Sequence, residues 1–237
     1  MDKKTVESAI ASSTGRLLRD NFGKGPGSIY VTVVKPFITI YLKSFLAPME
    51  RVLLNQDNTL RVQETRDILM NELLPEIKLI FSSETGTKVS RVFYDWSLEN
   101  KTGMIFAEMD SIENETDEEF LSYQAKDEVH NEIDRFTKKA QKSPRELRSF
   151  KLNSRTIISK REDILVRIEQ ELIESGFEKQ LRISKRRLEK NLINRGFLES
   201  VLNQEIQDIF VDWDFHNDIG YVIFVLLPDK VKLKEED

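Results

Sequence analysis

The chain repeats itself. Phe93-Tyr94-Asp95-Trp96, followed by Asn100 and Gly103, recurs 117 residues later as Phe210-Val211-Asp212-Trp213, followed by Asn217 and Gly220. Both copies run into an apolar stretch, Met104-Ile105-Phe106 in one and Tyr221-Val222-Ile223-Phe224 in the other, and the chain's two tryptophans both fall here. Weaker matches precede them in order, with Pro26 and Pro144 118 apart, Glu50 and Glu169 119 apart, and Arg66 and Arg187 121 apart. Such small drifts are what loop insertions produce in a duplicated module. The 237 residues are therefore expected to hold two copies of one unit, residues 1–110 and 121–237, joined by the acidic, apolar-poor connector 111–120.

Hydrophobic periodicity supplies the plan of each unit. Val6, Ile10, Leu17 and Leu18 lie on helical spacing from about Thr5 to Phe22, and Gly23 offers the left-handed stop. Two alternating runs, Ile29 to Val33 and Ile38 to Leu42, flank Lys35-Pro36 and predict a hairpin. Pro48 suits a first helical turn, predicting helices from Pro48 to Leu54 and from Leu60 to Phe81. Strands at Lys88–Leu98 and Met104–Met109 close the unit through a turn where Asn100 and Gly103 tolerate positive φ. The second unit repeats this with helices at Asp127–Lys142, Asp163–Glu174 and Glu178–Leu202, strands at Leu147–Leu152 and Arg155–Ser159, and a hairpin from Glu205 to Leu227. The fold expected is α+β, two αββααββ repeats, each a four-stranded antiparallel sheet covered by helices.

Composition limits the chemistry. There is no cysteine, which excludes disulfides, thiolate nucleophiles and iron–sulfur ligation. A net charge of −5 argues against a dedicated nucleic-acid binder, and no apolar run approaches a bilayer-spanning length. A soluble, cytoplasmic protein is the expectation. Signatures of hydrolases, zinc peptidases and dinucleotide enzymes are missing, so no enzyme activity and no cofactor are expected.

Four constellations stand out. On an extended strand Phe93 and Asp95 face one way while Tyr94 and Trp96 face the other, and Trp96 and Trp213 are expected to anchor cores with Asp95 and Asp212 bonded to nearby backbone or capping a helix. Asp212, Asp214, His216 and Asp218 share a strand face and form a weak divalent-metal candidate; their counterparts Asp95, Ser97, Glu99 and Lys101 would put a cation in a ligand's place, so no metal is expected. Gly23-Lys24-Gly25-Pro26-Gly27 leads into a strand rather than a helix, which favours a tight connection over a phosphate cradle. Arg182, Lys185, Arg186 and Lys190 give one long helix a basic face, solvated by default or else a dock for an acidic protein partner or an anionic lipid surface. No aromatic residues interleave with these charges, against single-stranded nucleic acid.

The run Gly23-Lys24-Gly25-Pro26, the strands after it, Leu46-Ala47-Pro48-Met49-Glu50-Arg51-Val52-Leu53-Leu54 and Leu60-Arg61-Val62 to Arg66 resembles the MpsC family. The likeness covers nearly all of the first unit; the second keeps Pro144, Glu169 and Arg187 ahead of its hairpin. Lys24 stands where the family has arginine and Ala47 where it has threonine, which removes a side-chain N-cap. The resemblance implies a soluble accessory or regulatory component of a bacterial sodium-translocating, membrane-potential-generating system tied to inorganic-carbon uptake. It would bind a protein partner at the inner face of the membrane and could assemble with copies of itself. A small-ligand or metal sensor is the alternative.

Overall fold

A computed structural model describes residues 2–110 and 122–228. The chain divides into two compact units, Met1–Thr116 and Asp117–Asp237. The connector expected at 111–120 lies outside the described residues.

The first unit begins with helix α1 (Lys3–Phe22), which buries Ile10, Thr14, Leu17, Leu18 and Phe22 on one face and stops at Gly23 with φ of 70°. Strands β1 (Ser28–Val34) and β2 (Phe37–Lys43) pair as an antiparallel hairpin. Helix α2 (Pro48–Leu54) has its proline in the first turn, where a missing N–H costs nothing. Helix α3 (Thr59–Thr85) runs through Pro75 and buries Val62, Arg66, Met70, Leu73, Ile77 and Phe81 at three- and four-residue spacing. Strands β3 (Val89–Ser97) and β4 (Thr102–Met109) finish the unit.

The sheet order is β1-β2-β4-β3, so the last strand made lies inside the sheet. Ile38, Ile40 and Leu42 of β2, Tyr94 and Trp96 of β3, and Ile105 and Ala107 of β4 form one core with α1 and α3. Phe93, on the opposite face of β3, stacks on Phe106 at 4.9 Å between ring centroids.

The second unit follows the same course. Helix α4 (Lys126–Ala140) precedes β5 (Glu146–Asn153) and β6 (Thr156–Glu162), helix α5 (Arg167–Glu174) precedes α6 (Glu178–Leu192), and β7 (Ile206–Asp214) and β8 (Ile219–Leu226) close a sheet of order β5-β6-β8-β7. Strand β6 runs past its expected end at Ser159 to Glu162, the helix expected from Asp163 starts at Arg167, and one expected helix is divided. The helix expected over Glu178–Leu202 is two helices, because Ile193 is extended and Asn194 restarts the chain as α7 (Arg195–Leu202), its side chain accepting from the Phe197 amide. The second unit is therefore αββαααββ.

The terminal hairpins show why glycine recurs beside tryptophan. Trp96 lies opposite Gly103 and Trp213 opposite Gly220 across their strand pairs. A Cβ on Gly103 would meet Trp96 Cε3 at 2.3 Å, and one on Gly220 would meet Trp213 Cδ1 at 2.9 Å and Ile164 Cδ1 at 2.6 Å. The indole thus packs closely against a backbone position that carries no side chain. Neither glycine has a positive φ; the left-handed residue in each turn is Lys101 or Asp218, with φ of 55° and 50°. Gly103→Ala and Gly220→Ala are each expected to lower the urea midpoint by an amount equivalent to about 1–3 kcal/mol, the usual cost of overpacking.

Candidate functional site

Each unit buries a cation against a glutamate and a tryptophan. In the first, Arg66 of α3 is wholly enclosed. Its Nε donates to Glu50 Oε1 and its Nη2 to Glu50 Oε2, both at 2.7 Å, and Nη2 also reaches the Phe45 carbonyl at 2.9 Å. The guanidinium carbon sits 4.5 Å from the Trp96 ring, 4.9 Å from Phe45 and 5.7 Å from Phe22. Glu50 Oε2 additionally accepts from the Ala47 amide at 2.7 Å. Alanine supplies no side-chain cap to α2, so that amide bond to Glu50 is what ties the helix start down. A planar fork of donors above aromatic faces is what arginine offers and lysine does not.

In the second unit Glu169 Oε2 accepts from the Val166 amide at 3.1 Å, and Glu169 Oε1 from Lys185 Nζ at 2.6 Å. Lys185 Nζ lies 5.2 Å from the Trp213 ring. Glu50 and Glu169 are 119 residues apart, and so are Arg66 and Lys185. The positive-φ residues Ser44 and Asp163, and Asp57 and Gly176, obey the same step. The counterpart of Arg66 in the second unit is therefore Lys185, not Arg187. Two residues along a helix turn the side chain through about 200°, and Arg187 is exposed where Lys185 is buried.

The same step of 119 places Leu42, Met70, Leu18 and Phe22 opposite Arg161, Glu189, Thr137 and Gln141. An apolar quartet in one unit is a hydrogen-bonded polar quartet in the other. Arg161 Nη2 meets Glu189 Oε2 at 2.8 Å with both side chains fully enclosed, Arg161 Nη1 donates to Thr137 Oγ1 at 2.9 Å, and Gln141 Nε2 donates to Glu189 Oε1 at 2.6 Å. Lys185 Nζ is 3.9 Å from Glu189 Oε1. Burial is the largest influence on Lys185 and pulls its pKa below the ordinary lysine value, against the opposing pull of Glu189 and Glu169.

The expected basic face of α6 is not a solvated one. Lys185 and Arg186 are buried, at 3% and 4% exposure. Arg182 bonds Asp212 and the Trp213 carbonyl, also reaches Glu178 at 3.0 Å, and stands 4.7 Å over the Phe215 ring. Arg186 lies 3.6 Å from Asp212, and Lys190 Nζ is 5.7 Å from the Phe210 ring. These cations run along strand β7 and spend their charge inside the unit; a helical spacing of charges does not say whether carboxylates face it.

The metal candidates do not converge. Asp212 is held by the two arginines, Asp214 accepts from the Asn217 amide and side chain at 3.1 and 2.7 Å, and His216 is exposed in the turn. Asp218 Oδ1 instead accepts from the Ile164 and Leu165 amides, both at 2.9 Å, fastening the terminal turn to the segment between β6 and α5. Among the described residues no group of three or more His, Asp or Glu side chains could hold a metal. Asp95 Oδ1 accepts from the Trp96 amide at 2.7 Å. Asn100 lies in the exposed turn between β3 and β4.

Gly25 and Pro26 form the connection from α1 to β1, where a Cβ on Gly25 would meet Arg19 Nε at 3.2 Å. The Gly27 amide bonds the Lys43 carbonyl at 2.8 Å, and beyond Pro144 the Arg145 amide bonds the Glu162 carbonyl at 2.9 Å in the same manner. Both loops hand the chain to an edge strand.

One further cluster belongs to the second unit. Ser149 Oγ lies 2.7 Å from His130 Nε2 and 2.8 Å from the Tyr123 hydroxyl. Burial pushes the Tyr123 phenol up to about 12 and, together with Lys126, holds His130 below the ordinary histidine value. Ser149 is fully enclosed, so this chain of hydroxyl and imidazole is a structural link rather than a reachable nucleophile.

The fold and these buried pairs define a tandem α+β protein whose modules each close a cation–glutamate pair over a tryptophan. The profile of the family described as Na+-translocating membrane potential-generating system (MpsC) matches residues 2–111 and again 122–227, and the chain belongs to that family. It is also similar to the uncharacterized protein YbcI of Bacillus subtilis (strain 168), 29% identical over 102 residues that make up 43% of this chain and 81% of that protein. No solved structure matches. Among the described residues no helix is long and apolar enough to cross a membrane.

Proposed function

We propose that the chain is a non-enzymatic accessory or regulatory protein of a membrane-associated system that moves cations or takes up inorganic carbon, and that it acts by binding a protein partner at the inner face of the membrane. The observation that carries this reading is the family match over both units, under a description that names sodium translocation and membrane potential. The interior chemistry agrees with it. Glu50–Arg66, Glu169–Lys185 and Arg161–Glu189 are closed pairs that hold the fold, not groups turned toward a substrate. In this reading the ion crosses through another component, and what this chain contributes is a surface.

The alternative, a metal sensor built on Asp212, Asp214 and His216, loses Asp212 to Arg182 and Arg186 and Asp214 to Asn217. The test is affinity capture of the tagged full chain from membranes solubilised in mild detergent. Enrichment of one multispanning membrane protein, retained when the capture is repeated from that protein's side, is the expected result. Recovery of the chain alone, with all of it in the soluble fraction when the candidate transporter is present, would overturn the proposal.

A further inference from the structure

The two units hold their buried cation with different chemistry at one equivalent position. Arg66 keeps its proton at any pH a protein survives, whereas a buried lysine can release it. Lys185 is enclosed, at 3% exposure, with Glu169 on α5 at 2.6 Å and Glu189 one turn on along α6 at 3.9 Å. The second cation of the cluster, Arg161 on β6, is paired to Glu189 at 2.8 Å. Helix α4 and its C-cap offer this network the uncharged Thr137 and Gln141, through Arg161 and Glu189 respectively. Strand β7 offers the Trp213 ring, 5.2 Å from the ammonium, with Asp212 on the opposite face of the strand engaged by Arg182 and Arg186.

We infer that Lys185 makes the second unit a sensor of alkaline solution, exchanging a proton beside Trp213, while Arg66 leaves the first unit fixed in charge. The loss of aromatic neighbours supports this. Phe22 and Phe45, which face the Arg66 guanidinium, are replaced at the step of 119 by Gln141 and Ile164, so Lys185 has one aromatic face where Arg66 has three. The downward displacement of the Lys185 pKa fits the same picture, its largest cause being burial. The sign follows from linkage. Between the lowered folded value and the ordinary lysine value the folded unit binds fewer protons than the unfolded chain, so its stability rises with pH through that window and is lowest beneath it.

Each unit carries its own tryptophan, which separates the two responses. In full-length Trp96→Phe, emission from Trp213 should change in a single one-proton step with its midpoint below the ordinary lysine range. Lys185→Arg in that background should abolish the step. In full-length Trp213→Phe, Trp96 should show no step, and Arg66→Lys should give it one. A flat response from Trp213, or a step that survives Lys185→Arg unchanged, overturns the inference. Should a variant fail to fold, NMR of ε-13C-lysine in the unaltered chain decides. One ε resonance titrating below all the others supports the inference, and all resonances titrating together in the ordinary range overturns it.

Discussion

Replacing Glu50 by alanine is expected to cost the first unit about 3–5 kcal/mol, the usual penalty for stranding one member of a buried ion pair. Arg66 is fully enclosed and would keep only the Phe45 carbonyl and the rings of Phe22, Phe45 and Trp96 as company for its charge. A guanidinium cannot shed its proton to escape the penalty. The same change frees the Ala47 amide at the start of α2, which has no side-chain cap of its own. Glu169→Ala should cost less, because Lys185 can neutralise itself once its carboxylate is gone. Urea unfolding followed through Trp96 for the first variant and Trp213 for the second measures both losses, and equal losses would show that the arginine and lysine pairs are energetically interchangeable.

Glu189→Ala is expected to be comparably severe, about 3–5 kcal/mol in the second unit. It leaves Arg161, at 0% exposure, with the Thr137 hydroxyl and the Phe136 ring, and takes away the acceptor of Gln141. The informative partner experiment installs the residues the first unit already uses. Arg161→Leu together with Glu189→Met copies Leu42 and Met70, removes both charges at once, and should be neutral or stabilising by about 1–4 kcal/mol. Such a rescue would show that the polar quartet is retained at a cost in stability. A double variant as unstable as Glu189→Ala alone would instead mean that the polar quartet itself holds the second core together.

Much of this architecture was legible in the sequence because each element carries its own signal. Pro48 marks the start of α2, Gly23 ends α1, and the alternation of Ile29 to Val33 and Ile38 to Leu42 yields the first hairpin. The interior chemistry carries no such local signal. Alternation in β6 ends in sequence at Ser159, yet the strand continues to Glu162 because Arg161 points inward to a carboxylate on a helix that begins 17 residues later. The cations of α6 read as a solvated face because a single-helix view cannot include Glu169, Asp212 and Glu189 set against them. Residue type pairs Arg187 with Arg66, whereas the step of 119 points to Lys185. At that fixed step the sequence itself sets Leu42 and Met70 against Arg161 and Glu189.

The placement of β4 and β8 inside their sheets fixes the order of events during synthesis. Until Thr102–Met109 has left the ribosome, β3 has no neighbour and β2 lacks one of its two, so the earlier hairpin waits as a marginal fragment. Once that strand inserts, the first module can close while Ile219–Leu226 is still untranslated. The second module must then wait for its own last strand, leaving its charged helix α6 without the edge strand β7 for as long as translation of the terminal hairpin takes.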